Sequence, residues 1–83
     1  MTIDQAYLDA VRARLTAATP GPWRSWIEGR DHESGSDFIE TAGEDIELMG
    51  ATHADQDFIA HARQDVELLL DEVERLTGLA SKD

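Results

Sequence analysis

Ala17-Ala18-Thr19-Pro20-Gly21-Pro22-Trp23 divides this chain into two structural regimes. The residue before a proline is pushed out of the helical region, so Thr19-Pro20 closes whatever helix precedes it. Pro20-Gly21 fits the two central positions of a type II turn, in which the second residue takes a positive φ. Trp23 then opens the next segment with a large ring that needs somewhere to bury.

Upstream of this stop, Ile3, Tyr7, Leu8, Val11, Leu15 and Ala18 recur at helical spacing and form one apolar stripe. The spacing predicts a helix over 3–18, with Thr2 as its cap and Gln5 completing a capping box. Downstream the period changes. Trp23 to Glu28, Asp37 to Thr41 and Ile46 to Met49 are short runs of β-formers, separated by a polar loop from Gly29 to Gly35 and a turn at Ala42 to Asp45. Two consecutive tight connections predict a three-stranded antiparallel meander over 23–49. From Thr52 the helical period returns: Phe58, Ile59, Ala62, Val66, Leu69, Leu70, Val73 and Leu76 predict a helix over 53–77, capped by Thr52 or Asp55 and ended by Gly78, with 79–83 a frayed tail. Gln64-Asp65 is a possible break, with Asp65 recapping a second helix. The expected fold is a single α+β domain spanning 1–83, with both helices on one face of the sheet.

Eighty-three residues bury only about 60–65% of the surface that the unfolded chain exposes, so oligomerisation would help this fold. The absence of cysteine removes disulfides and zinc–thiolate sites from consideration. No apolar run approaches the roughly 20 residues that span a bilayer, and Met1-Thr2-Ile3-Asp4 lacks the basic start of a signal peptide. A cytoplasmic protein with no membrane contact is expected.

The net charge is −11, and between Glu28 and Asp57 ten carboxylates face a single arginine, Arg30. A field of that sign repels a phosphate backbone, which argues against direct nucleic-acid binding. It favours a basic protein surface, although acidic side chains also simply keep small proteins dispersed. The candidate partner-binding set is Glu28, Asp31, Glu33, Asp37, Glu40, Glu44, Asp45 and Glu47.

Other clusters carry less. His53, Asp57 and His61 stack at four-residue intervals on one helical face and are candidate metal ligands. The two histidines would stand about 12 Å apart along the axis, too far for one ion, so a solvated polar column is the simpler reading and no cofactor is expected. The acid pairs Glu44-Asp45 and Asp71-Glu72 have no neighbour in sequence that would tune them for proton transfer, and no catalytic residue is assigned. Trp23 and Trp26 face opposite ways if their strand is regular: one buries against the first helix and the other is free to anchor an interface. Leu68 lies outside the arc of the main apolar stripe. With Trp26 it is the candidate oligomer seam.

Two segments together resemble a known family. Arg14-Leu15-Thr16-Ala17-Ala18-Thr19-Pro20-Gly21-Pro22-Trp23 is similar to the opening of small Ead-like proteins of phages and prophages, and Phe58-Ile59-Ala60-His61-Ala62-Arg63, with Val66 and the run Leu69 to Leu76, resembles their closing helix. In relatives a proline often follows the position of Val66. Here Glu67 stands instead, so the helix is free to run on. The resemblance implies a non-enzymatic accessory protein acting in the host cytoplasm. The leading expectation is therefore an acidic binder of a basic host protein, such as a nucleic-acid-handling or anti-phage defence protein. One alternative is an oligomeric sponge for a small nucleotide signal, held by Trp23, Arg24, Trp26, His53 and Arg63. Another is a homo-dimerising structural or antitoxin-like module.

Overall fold

The computed structural model describes residues 3–78. Helix α1 (Gln5–Ala17) is followed by strands β1 (Arg24–Trp26) and β2 (Phe38–Glu40) and by helix α2 (His53–Thr77), an α+β order. The expected cap Thr2 lies outside the described residues. Asp4 caps α1 instead, its carboxylate accepting the Tyr7 N–H at 2.9 Å. Gln5 consequently has no cap to complete and donates to Asp9 at 2.7 Å. Ile3, just before the cap, lines the same groove as Leu8 in the next turn, a hydrophobic staple.

The stop at Thr19-Pro20 holds, but the type II geometry does not. Gly21 is not among the glycines with positive φ, and its peptide bond to Pro22 is cis. Pro22 biases Gly21 itself toward extended backbone, which competes with the left-handed conformation that the turn would need.

β1 and β2 pair antiparallel, with Arg24 opposite Glu40, Ser25 opposite Ile39 and Trp26 opposite Phe38. The expected third strand shrinks to one bridge, Ile39 to Ile46, closed by two backbone hydrogen bonds of 2.8 and 2.9 Å. Thr41 explains the early end: its hydroxyl donates to the Glu44 carbonyl and accepts the Gly43 N–H, folding the chain into a local turn. Met49 is fully exposed beyond it.

α2 runs unbroken through Gln64-Asp65. Thr52 and Asp55 form a reciprocal capping box at its start, and Gly78 closes it with φ +77°, a conformation that suits glycine. The tail 79–83 lies outside the described residues. Gln64 uses its amide on Trp23, accepting the backbone N–H at 2.6 Å and donating to the carbonyl at 3.1 Å, as a neighbouring strand would.

The expectation that both helices cover one face of the sheet is corrected. Only α2 packs on the strands; α1 packs on α2. Length explains this. Strands of three residues span about 10 Å, whereas the 25 residues of α2 extend about 37 Å. The C-terminal half of α2 therefore overhangs the sheet and receives α1, and Arg12 tethers the two helices through Asp71 and Glu74, both at 2.8 Å. The molecule is elongated, 49 × 26 × 18 Å. Its core is small: Leu8 and Leu70 at the helix pair, and Ile27, Ile39 and Ala60 under the sheet.

Candidate functional site

Strand alternation sorts the sheet residues. Ser25, Ile27 and Ile39 are buried on the α2 side, so Arg24, Trp26, Phe38 and Glu40 project from the opposite face. No helix covers that face. The loop between the strands folds back over it, bringing His32 edge-on to Phe38 (5.2 Å) and Trp26 (6.1 Å), while Trp26 and Phe38 stack offset at 6.3 Å. The result is an open depression of about 410 Å³ lined by Trp26, His32, Ser34, Phe38, Glu40 and Asp45. The Arg24 guanidinium lies 4.0 Å from the centre of the Trp26 ring, so this aromatic surface already holds one cation.

The His32 tautomer follows from its bonds. Nδ1 accepts the Ser34 N–H at 3.0 Å, which leaves the proton on Nε2. That Nε2 is buried and has no hydrogen-bond partner among the described residues.

The acidic set divides in two. Four members serve the fold. Glu28 accepts the Gly35 N–H at 2.6 Å, Asp37 accepts the Glu28 N–H at 2.8 Å, and Glu40 accepts the Trp26 Nε1–H at 3.0 Å. Asp31 accepts the Ile27 N–H at 2.9 Å and two donations from Arg30. Glu33, Glu44, Asp45 and Glu47 make no side-chain hydrogen bond or ion pair with the described residues. All four are exposed, and Asp45 lines the aromatic depression.

Arg30 is the staple of the loop. It bonds both oxygens of Asp57 on α2, at 2.9 and 3.1 Å. The Asp57 carboxyl is held down to about 2 by this arginine first and by the Ser25 hydroxyl second, and Asp31 is lowered by Arg30 and by the Ile27 N–H. A depressed carboxyl contributes stability above its unfolded value of 3.8 and loses it as pH falls through the folded one. Asp57→Asn is therefore expected to lower Tm by a few degrees at neutral pH, a modest amount because the pair is partly solvated. The gap from the parent should close between pH 4 and pH 2; thermal scans across that range check the sign.

The histidine column does not assemble. His53 Nε2 sits 3.3 Å from Asp37, Asp57 is engaged by Arg30, and His61 Nδ1 lies 2.8 Å from the Asp57 carbonyl oxygen. Among the described residues, no group of three or more His, Cys, Asp or Glu side chains is placed to hold a metal. The nucleotide-binding set is scattered as well. Trp23 and Arg63 both donate to the Thr19 carbonyl at the α1–α2 groove, Arg24 and Trp26 lie on the outer sheet face, and His53 is with Asp37. The opposite-facing arrangement of Trp23 and Trp26 is as expected, with each ring half-buried.

No family model matches this chain, and neither a curated protein nor a solved structure matches it. No helix among the described residues is long and apolar enough to cross a membrane.

Sequence reasoning missed His32 and Phe38. The signal was available: folding the chain about position 32 puts 26 opposite 38, so a bulky residue in each strand marks a cross-strand pair.

Proposed function

We propose that this protein works by binding, without catalysis, and that the outer face of its sheet receives a basic segment of a partner protein. The observation that carries this reading is the aromatic depression of Trp26, His32 and Phe38 with Asp45, a carboxylate without a side-chain partner among the described residues, in its lining. Aromatic faces attract cations, and adjacent carboxylates supply the complementary charge. An arginine or lysine of the partner would lie against Phe38 and His32 and pair with Asp45, with Glu44, Glu47 and Glu33 drawing in the rest of the basic surface. The resemblance of the Arg14–Trp23 and Phe58–Arg63 segments to Ead-like proteins supports a phage or prophage accessory role, in which the partner is a basic host protein such as a nucleic-acid-handling or defence factor.

Titration with a short arginine- and lysine-rich peptide tests the reading, using Trp26 fluorescence in a Trp23→Phe background. Binding is expected to weaken at least about tenfold between 50 and 500 mM salt. Glu44→Gln with Asp45→Asn should weaken it several-fold at low salt. A response equal to that of a neutral peptide of the same length would refute it.

A further inference from the structure

α2 carries a second apolar strip, which α1 borders along one edge and covers only in part, Ala62 and Val73 being half-buried. Ile59, Ala62, Val66, Leu69, Val73 and Leu76 repeat at intervals of three, four, three, four and three residues, the spacing of a left-handed coiled-coil seam. Leu69 is 65% exposed and Leu76 68%; Phe58, flanking the seam, is 74% exposed. Ile3, just before the α1 cap, and Tyr7 of α1 border the same strip and are exposed too. We propose that this seam is the interface with a second copy of the chain, packed with its α2 parallel.

Three observations select that occupant. The first is the residue order. Alternate seam positions are β-branched, Ile59, Val66 and Val73, and the positions between them are Ala62, Leu69 and Leu76. β-branched residues at the first position with leucine at the second favour two parallel strands. The second is area. The exposed parts of these side chains, together with those of Phe58, Ile3 and Tyr7, leave on the order of 700 Å² per chain, against about 800 Å² per partner in a stable interface. The third is charge. Asp65 and Glu72 flank the seam on one side, while Arg14 rims the groove on the α1 side with no ion pair among the described residues. A parallel pair sets the acidic flank of each copy toward the α1 flank of the other; an antiparallel pair would set acid against acid.

The seam corrects the expected interface residues. At 100° per residue, Leu68 points away from the Ile59–Leu76 strip, among His61, Asp65, Glu72 and Arg75. Trp26 belongs to the outer sheet face, on a separate surface. Dimerisation and basic-partner binding are therefore independent, and salt acts on them oppositely. Two chains of net charge −11 repel each other, so the dimer should tighten as salt rises.

Sedimentation equilibrium of the intact chain, with Leu69→Lys for comparison, tests the proposal. The parent is expected to be dimeric at micromolar concentration. Leu69→Lys, at an exposed position, should keep its helical circular dichroism and raise the dimer dissociation constant at least about a hundredfold, even though it lowers the net charge. A parent that stays monomeric at high concentration and high salt overturns the proposal, as does an equally dimeric Leu69→Lys. Since the chain has no cysteine, single cysteines report the orientation without depending on that variant. With an added oxidant, Leu76→Cys should form a disulfide-linked dimer and Leu68→Cys should not; the reverse, or equal yields, overturns it.

Discussion

Gln56→Leu is expected to destabilise the chain by about 2–3 kcal/mol, although it replaces a polar side chain with an apolar one of similar size. Gln56 is 3% exposed, and its amide nitrogen donates to the Ser25 hydroxyl at 2.9 Å, the Phe38 carbonyl at 3.1 Å and the Trp26 carbonyl at 3.2 Å. Among the described residues it is the one side chain of α2 that hydrogen-bonds both strands at once. Leucine fills the space but leaves a buried hydroxyl and two carbonyls without that donor. In a domain of this size the loss corresponds to a fall in Tm of roughly 10–20 °C. Removing the hydroxyl as well provides a control. Ser25→Ala combined with Gln56→Leu should cost less than the sum of the two single changes, because the second deletion removes a partner that is already stranded. Urea denaturation of the four proteins gives the coupling energy.

Ile39→Ala carries the other large effect, about 3–4 kcal/mol. Ile39 has no exposed surface, lies opposite Ser25 and closes the bridge to Ile46 through both its backbone groups. Truncation leaves those backbone bonds in place and removes only the side chain that fills the space between sheet and α2. Few other buried residues share that space, chiefly Ile27 and Ala60, so the cavity cannot be closed by neighbours. The net stability of so small a domain is itself only a few kcal/mol. The alanine variant is therefore expected to be largely unfolded at 37 °C by circular dichroism. Ile39→Val, which removes one methylene, should stay folded with a loss of about 1 kcal/mol.

These two positions also show where the sequence could be read and where it could not. The helices were legible because their signals are local: Thr52 and Asp55 as cap candidates, the Gly78 terminator and the Pro20 stop each act within a few residues. The antiparallel hairpin was legible for the same reason, with glycine at both ends of its loop. The third strand was not, because whether Ile46 to Met49 continues a ladder depends on what β2 still offers, and Thr41 ends that offer by turning the chain. The packing of α1 was not legible either. An apolar stripe says that a helix is covered, not by which element, and the answer came from α2 outreaching a very narrow sheet. Gln64 was read only as part of a possible helix break and Gln56 not at all, since nothing near them in the chain marks them as partners for backbone groups 18 to 41 positions away.

The candidate site followed the same division. Net charge identified an acidic middle, but composition could not separate carboxylates that close loops from those left free. Glu28, Asp31, Asp37 and Glu40 turned out to bond backbone N–H groups, an arginine or an indole of their own chain. The Trp26–Phe38 pair beside which Asp45 lies depends on the register of the hairpin, which the sequence reading had not drawn from the centre of the loop.

The most direct test of a cation-binding outer sheet face is a two-dimensional ¹H–¹⁵N NMR titration of the intact protein with an arginine-rich peptide. The account predicts that the Trp26 indole N–H, which bonds Glu40, and the amides of His32, Phe38 and Asp45 shift together on one binding curve, with Trp23 and the α2 seam unmoved. Shifts that spread over the whole acidic surface, or that miss Trp26 and His32 altogether, would contradict it.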